Sequence, residues 1–190
     1  MLISSFNNLI EVGCDEAGRG CLSGPVISAA VILPPDFNHH LLNDSKKMTA
    51  RNRNILEKII RKECIAFGIG ESSTEEIDKI NILNATFLSM HRAIDKIKSQ
   101  YDLLLIDGNR FKKYKNKKHK CIIKGDEKHI SIAAASVLAK TFRDKIMNDL
   151  SQEFPNYGWS NNKGYPTKHH KEAIKNYGTN IWHRKSFKLQ

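Results

Sequence analysis

The sequence predicts an α/β domain built on a mixed sheet, with a helical appendage at the C-terminus. Strand-like segments come first as a hairpin-like pair, and later strands alternate with helices. The composition agrees. The 190 residues are 40% hydrophobic and 27% charged, which suits one globular domain with a real core and excludes collagen-like, disordered and disulfide-scaffold classes.

Each element has its own signal. Residues 10–14 (IEVGC) read as a short strand running into Asp15. Residues 25–33 (PVISAAVIL) read as a buried strand that stops at Pro34-Pro35, which cannot continue a ladder. Between them, EAGRGCLSG has the glycines of a turn joining paired strands. Residues 49–62 predict a helix with Ile55, Leu56, Ile59 and Ile60 on one side, and residues 64–70 (CIAFGIG) a third strand. Ser73 with Glu76 makes a capping box that opens a short helix. Over residues 82–98, Leu83, Phe87, Met90, Ile94 and Ile97 recur at the steps of four and three that give a helix one apolar face. Residues 101–106 (YDLLLI) predict a strand covered on both faces, residues 119–123 (HKCII) a fifth strand, and the Ala-rich residues 130–150 a helix. The polar tail, 151–190, predicts one helix after Thr167.

Several classes fall away. No apolar run approaches the ~20 residues that span a bilayer. MLISSFNNLI has no Lys or Arg, as a secretory leader would need, so a cytoplasmic location is expected. Cys14, Cys21, Cys64 and Cys121 form no C-x-x-C pair and predict buried free thiols in a reducing compartment. Lys and Arg number 31 against 20 acids, a net charge of +11 that points to a polyanionic partner, nucleic acid ahead of membrane. Residues 110–120 (RFKKYKNKKHK) hold seven of these cations and no acid. Two readings stand for this stretch: Phe111 and Tyr114 stack on bases among phosphate-binding cations, or the segment is a flexible solvated loop. His39-His40 and His169-His170 are neighbours rather than i, i+4 pairs, and read as surface or cap residues. Ser136, in AAAS, reads as helix packing.

Chemistry is expected where strands end in acid. VGC runs into Asp15-Glu16, and LLLI into Asp107. If these strands are parallel neighbours, the carboxylates converge beyond the sheet, where open α/β folds bind ligands. A buried acid is costly unless it is paired or bound to a cation, and clustered carboxylates are the oxygen donors that Mg²⁺ or Mn²⁺ prefers. Alternation along a strand sends Asp15 and Glu16 to opposite faces, an objection that lapses if a turn begins there. Taken singly, each acid also reads as a strand-end or turn residue. Asp126, in Lys124-Gly125-Asp126, fits a solvated turn before a helix. Gly18-Arg19-Gly20 lacks the spacing of a nucleotide-binding loop, but its glycines let backbone approach a ligand or simply make a turn.

The stretch EVGCDEAGRGCLSGPVISAAVIL closely resembles the opening signature of the type 2 ribonucleases H, the bacterial ribonuclease HII family. NDSKKMT, LLLIDGN, IIKGDEKHISIAAASVLAKTFRD, GYPTKHH and HRKSF resemble further family segments, in the family's order and over nearly the whole chain. The resemblance implies a ribonuclease H-like mixed sheet flanked by helices, as a catalytic domain over 1–150 with a C-terminal helical substrate-binding segment over 151–190 in the same unit. It implies endonucleolytic cleavage of RNA in RNA–DNA hybrids, including single ribonucleotides embedded in duplex DNA, by two Mg²⁺ or Mn²⁺ ions, leaving 5′-phosphate and 3′-hydroxyl ends. The family's four acidic metal-site and catalytic residues fall on Asp15, Glu16, Asp107 and Asp126. Its ribose-sensing segment falls on Gly18, Arg19 and Gly20, and its sugar-packing tyrosine on Tyr165. Lys46 and Lys47, in the D-S-K segment, are further substrate-binding candidates. The expected partners are RNA–DNA hybrid and ribonucleotide-containing duplex, with no membrane, for a monomer. The sequence departs from the family pattern at Cys21, where proline is frequent, and in the Lys-rich loop after Asp107. Alternatives from other classes are an integrase- or resolvase-like nuclease, a non-catalytic hybrid binder and a basic RNA chaperone. Cleavage of matched duplexes with and without one ribonucleotide separates them.

Overall fold

The computed structural model describes residues 2–4, 9–42 and 48–188. Five strands form one sheet: β1 (Glu11–Ala17), β2 (Val26–Ile32), β3 (Ala66–Ser72), β4 (Leu103–Asp107) and β5 (Lys118–Ile122). Their order is β3-β2-β1-β4-β5. β1 pairs antiparallel with β2, and β2 with β3, while β4 runs parallel to both β1 and β5. The mixed sheet is therefore as expected, and β1 is where its two halves meet.

Helices α1 (Ala50–Glu63) and α3 (Ile130–Glu153) cover one face and α2 (Thr74–Asp95) the other. Strand alternation decides which side chain meets which helix. Val12, Cys14, Leu104 and Ile106 pack with Met90, Ala93 and Ile94 of α2. Ala17, Ala29 and Val31 pack with Leu56 and Ile60 of α1 and the alanines of α3, and Leu103 and Leu105 meet Ile132. α2 begins at the Ser73–Glu76 capping box and breaks at Asn81, whose φ is 65°. The Asn81 side chain caps the amides of Leu83 and Asn84, so the two helices read from the sequence join at this residue.

The C-terminal segment adds α4 (Trp159–Asn162), which the sequence did not signal, and α5 (Lys168–Tyr177), capped by Thr167. Tyr157, Trp159 and Ala173 pack on Met147 and Leu150 of α3. His170 is buried in this cluster, contrary to its reading as a surface or cap residue. Trp159 Nε1–H donates to His170 Nε2 at 3.1 Å, which leaves Nδ1–H to donate to Tyr165 O at 2.9 Å. His183 lies alongside, and burial pushes its pKa down to about 4, so it is neutral at physiological pH.

Two other expectations change. Cys14 and Cys21 are buried, but Cys64 and Cys121 are only half-buried. The Lys-rich stretch is neither a base-stacking platform nor a loose loop. Tyr114 is buried in the α2-side core, and its hydroxyl donates to Asp95 Oδ1 at 2.5 Å, beside Lys115. Phe111 packs edge-on against Phe87, His91 and His119. Tyr114 is buried and Phe111 partly so, and both rings are engaged in packing, whereas the Lys and Arg side chains around them are largely exposed. No helix among the described residues is long and apolar enough to cross a membrane.

Candidate active site

The parallel ladder sets Cys14 beside Ile106, so the next residues, Asp15 and Asp107, leave neighbouring strands side by side. Both belong to the α3-facing register of the sheet. Asp15 accepts from the Ser136 hydroxyl and, at 2.7 Å, from the Glu16 N–H. Asp107 Oδ1 accepts from the Gly125 N–H at 2.7 Å, which ties the turn carrying Asp126 to the end of β4. Asp126 is buried in that turn rather than solvated.

No turn begins at Asp15. β1 continues to Ala17, and alternation persists through Glu16. Glu16 faces the α2 side, near Leu83 and Phe87, and pairs with Arg19 at 3.1 Å. It reaches the Asp15 side because both residues rim one cleft at the sheet's edge. Asp15, Glu16, Gly18, Arg19, Gly20, Asp107 and Tyr165 all line that cleft, of about 230 Å³, together with Ser136 and Lys140. Among the described residues, no three Asp, Glu, His or Cys side chains close around one point. Asp126 is not among the residues that line the cleft. Lys46 and Lys47 lie outside the described residues.

Electrostatically the cleft is strained. Burial first, then the charges of Glu16 and Asp107, push Asp15 well above the usual carboxylate range; the Ser136 hydroxyl and the Glu16 amide pull it partly back. Burial and like charge acting together in this way are characteristic of functional sites.

Tyr165 lines the same cleft, 41% exposed. Its backbone is held by Asn162 O and by His170, and its ring lies 5.7 Å from Lys140 Nζ. Ser136, read from the sequence as helix packing, and Lys140, which the sequence reading did not single out, stand one helical turn apart on α3 and both line the cleft. The available signal was polar side chains repeating at i, i+4 on the buried face of an Ala-rich helix. Gly18 has φ +96°, and a Cβ there would meet Arg143 Nε at 2.0 Å. At Gly20 a Cβ would meet nothing, so that position opens onto the cleft.

Solved structures share this architecture. The ribonuclease HII of Archaeoglobus fulgidus, solved as a PCNA complex, superposes with a TM-score of 0.81 at 25% identity, covering 96% of each chain. The ribonuclease H2 of Pyrococcus horikoshii superposes with a TM-score of 0.78 at 22% identity, covering 94% of each. Fold and acid-edged cleft together define an endoribonuclease of the ribonuclease H type. The sequence narrows this further. The profile described as Ribonuclease HII matches residues 12–190, and ribonucleases HII of Bacteroides fragilis and Phocaeicola vulgatus are 58% and 57% identical over 190 residues, covering all of this chain and 94% of each relative. The chain belongs to the ribonuclease HII family, whose members cleave RNA in RNA–DNA hybrids.

Proposed function

We propose that the chain cuts hybrids and also duplex DNA at a single embedded ribonucleotide, leaving 5′-phosphate and 3′-hydroxyl ends. One observation carries the reading: a single cleft gathers Asp15, Glu16 and Asp107 with the Gly18–Gly20 backbone and the Tyr165 ring. The acids supply chemistry, and the glycine loop and the tyrosine ring supply recognition of a sugar.

The donor set suits a divalent cation. Hard carboxylates of Asp15, Glu16 and Asp107 line one cleft, and the charges raising Asp15 are both negative, so a cation would relieve them. Mg²⁺ is held by one or two carboxylates plus substrate phosphate rather than by an all-protein cage, so it needs no closed set of protein ligands. Asp15, Glu16, Asp107 and Asp126 would hold Mg²⁺ or Mn²⁺, two ions in the active complex, which when bound supply a nucleophilic water and offset charge on the departing 3′-oxygen. A Mn²⁺ complex is known for the ribonuclease HIII neighbour Bst-RNase HIII, which shares the fold at 17% identity.

The chain's own residues orient the substrate. Ser136 and the Glu16 amide fix the Asp15 carboxylate, and the Gly125 amide fixes that of Asp107. Only the 2′-hydroxyl tells RNA from DNA at a given sugar, so its reader must lie close to the ribose. The side-chain-free loop suits that approach, and Tyr165 offers a flat face for the sugar beside the junction. Residues 151–190 thus serve as the substrate-binding part of the unit whose catalytic part is 1–150, working as a cytoplasmic monomer.

Mapping cleavage of a duplex with one ribonucleotide, in Mg²⁺, in Mn²⁺ and in chelator, tests the function. A single metal-dependent cut at that nucleotide is expected, and an equal cut in the all-DNA duplex would overturn the reading. Tyr165→Ala should cost more on this substrate than on a long hybrid; equal losses would remove Tyr165 from junction recognition. Gly20→Val should keep the thermal midpoint, because its side chain meets open space, yet lose ribonucleotide-dependent cleavage. Full activity in that variant would exclude the loop as the reader.

A further inference from the structure

Two guanidinium groups lie buried beneath the cleft, Arg143 at 1% and Arg184 at 0% exposure. Arg184 comes from the C-terminal segment, in HRKSF, and reaches the loop after β1. Its Nη2 donates to Gly18 O at 2.7 Å and its Nη1 to Arg19 O at 2.9 Å. Nε and Nη2 also donate to Gly24 O at 3.0 and 2.9 Å. Burial lowers its pKa to about 10, which leaves it charged at neutral pH.

In a trans peptide the C=O and the following N–H point in opposite directions, and the chain has no cis bond. Two successive carbonyls that converge on one buried guanidinium therefore turn the N–H groups of Arg19 and Gly20 away from it, towards the cleft this loop lines. Successive amides facing one way form a concavity that binds an acceptor.

We infer that Arg184 is a positioning residue for ribose recognition: from beneath the loop it aims the backbone donors of Arg19 and Gly20 at the sugar of the bound strand. The inference rests on the cleft being the nucleic-acid site and adds the group that sets its selectivity. A planar fork with five donors can hold carbonyls of both flanks of the loop at once, which a Lys ammonium cannot do in the same geometry. The tail does not depend on this side chain for attachment. Backbone bonds from Arg184 N to Leu22 O, from Gly24 N to Trp182 O and from Leu22 N to Gly164 O hold it independently.

Arg184→Lys tests the inference through selectivity rather than activity alone. Binding in chelator is measured for two labelled duplexes that differ by one ribonucleotide. The wild type should favour the ribonucleotide duplex. The variant should lose about tenfold of that preference, the scale of a charge-assisted hydrogen bond, while binding all-DNA duplex within about twofold of wild type. An unchanged ratio, or equal weakening on both duplexes, would overturn the proposal. Should Arg184→Lys not fold, amide exchange of the wild type decides. The Arg19 and Gly20 amides should exchange more slowly in the ribonucleotide complex than in the all-DNA complex, and equal exchange would overturn the donor geometry. A wild type that binds and cleaves both duplexes alike would instead overturn the underlying functional reading.

Discussion

Asp15→Asn should abolish cleavage and make the protein more stable. On the proposed metal-dependent reading, loss of this carboxylate removes several kcal/mol of transition-state stabilisation, roughly a thousandfold or more in rate. Turnover within tenfold of wild type would remove Asp15 from the chemistry. The gain in stability has a separate cause. Asp15 is buried beside Glu16 and Asp107, and an amide there keeps an oxygen to accept from Ser136 and the Glu16 N–H while shedding the repelled charge. A gain of about 0.5–2 kcal/mol is expected in chelator at neutral pH, a few degrees in Tm for a chain of this size.

The pH dependence fixes the sign. The folded-state pKa of Asp15 lies above its unfolded value, so the folded protein binds this proton more tightly. Wild-type stability from this group is therefore greatest at low pH and falls as pH rises from the ordinary carboxylate value through the raised one. The advantage of the Asn variant should be full above the raised pKa and shrink as pH falls through that window. Melts of both proteins across pH check this; a variant less stable than wild type at neutral pH would contradict it. Mg²⁺ or Mn²⁺ should raise the wild-type midpoint, because a ligand bound only by the folded state stabilises it, and should raise that of the variant less.

Gly13→Ala should have the largest effect on the fold. A Cβ at Gly13 would lie 2.1 Å from Ser131 C and 2.4 Å from Ile132 N, both backbone atoms of α3. No flexible side chain is available to yield. Strand β1 and helix α3 would have to separate, at about 3 kcal/mol or more, the upper range for overpacking. Tm should fall by roughly 6–12 °C at the sensitivity expected of a chain this long. Because β1 carries Asp15 and α3 carries Ser136, cleavage per folded molecule should fall as well. A midpoint within one degree of wild type would show that the close approach is not needed.

Much of the scaffold was readable because each strand carries its own signal. YDLLLI and PVISAAVIL are too apolar for an exposed position, and their ends are marked by Asp107-Gly108 and Pro34-Pro35. The parallel adjacency of β1 and β4, on which the convergence of Asp15 and Asp107 depends, was conditional until the sheet order was known. Glu16 was harder. Its place in the cleft, from the opposite face of the sheet, follows from β1 persisting to Ala17, whereas the glycines after it argue for an earlier turn. Ser136 was read as packing and Lys140 was not singled out, because only the docking of α3 on β1 decides which side of that helix meets the cleft. Phe111 and Tyr114 misled for a related reason. An aromatic among lysines suits nucleic acid in sequence, but burial against α2 and a bond to Asp95 are tertiary events. Arg184 gave no local cue, since all its carbonyl partners lie in the loop after β1.

The ladder between β1 and β4 has a kinetic consequence. It pairs Glu11 with Leu103 and Cys14 with Ile106, 92 positions apart in each case, and Arg184 meets Gly18 across 166. Contacts of such sequence separation are closed late, because the loop entropy must be overcome before they reward it. The hairpin-like half of the sheet and the individual helices can therefore form in a nascent chain with no competent nuclease present. Asp15 and Asp107 come side by side only once β4 has docked on β1, so the acids of the cleft are assembled after the local elements that carry them.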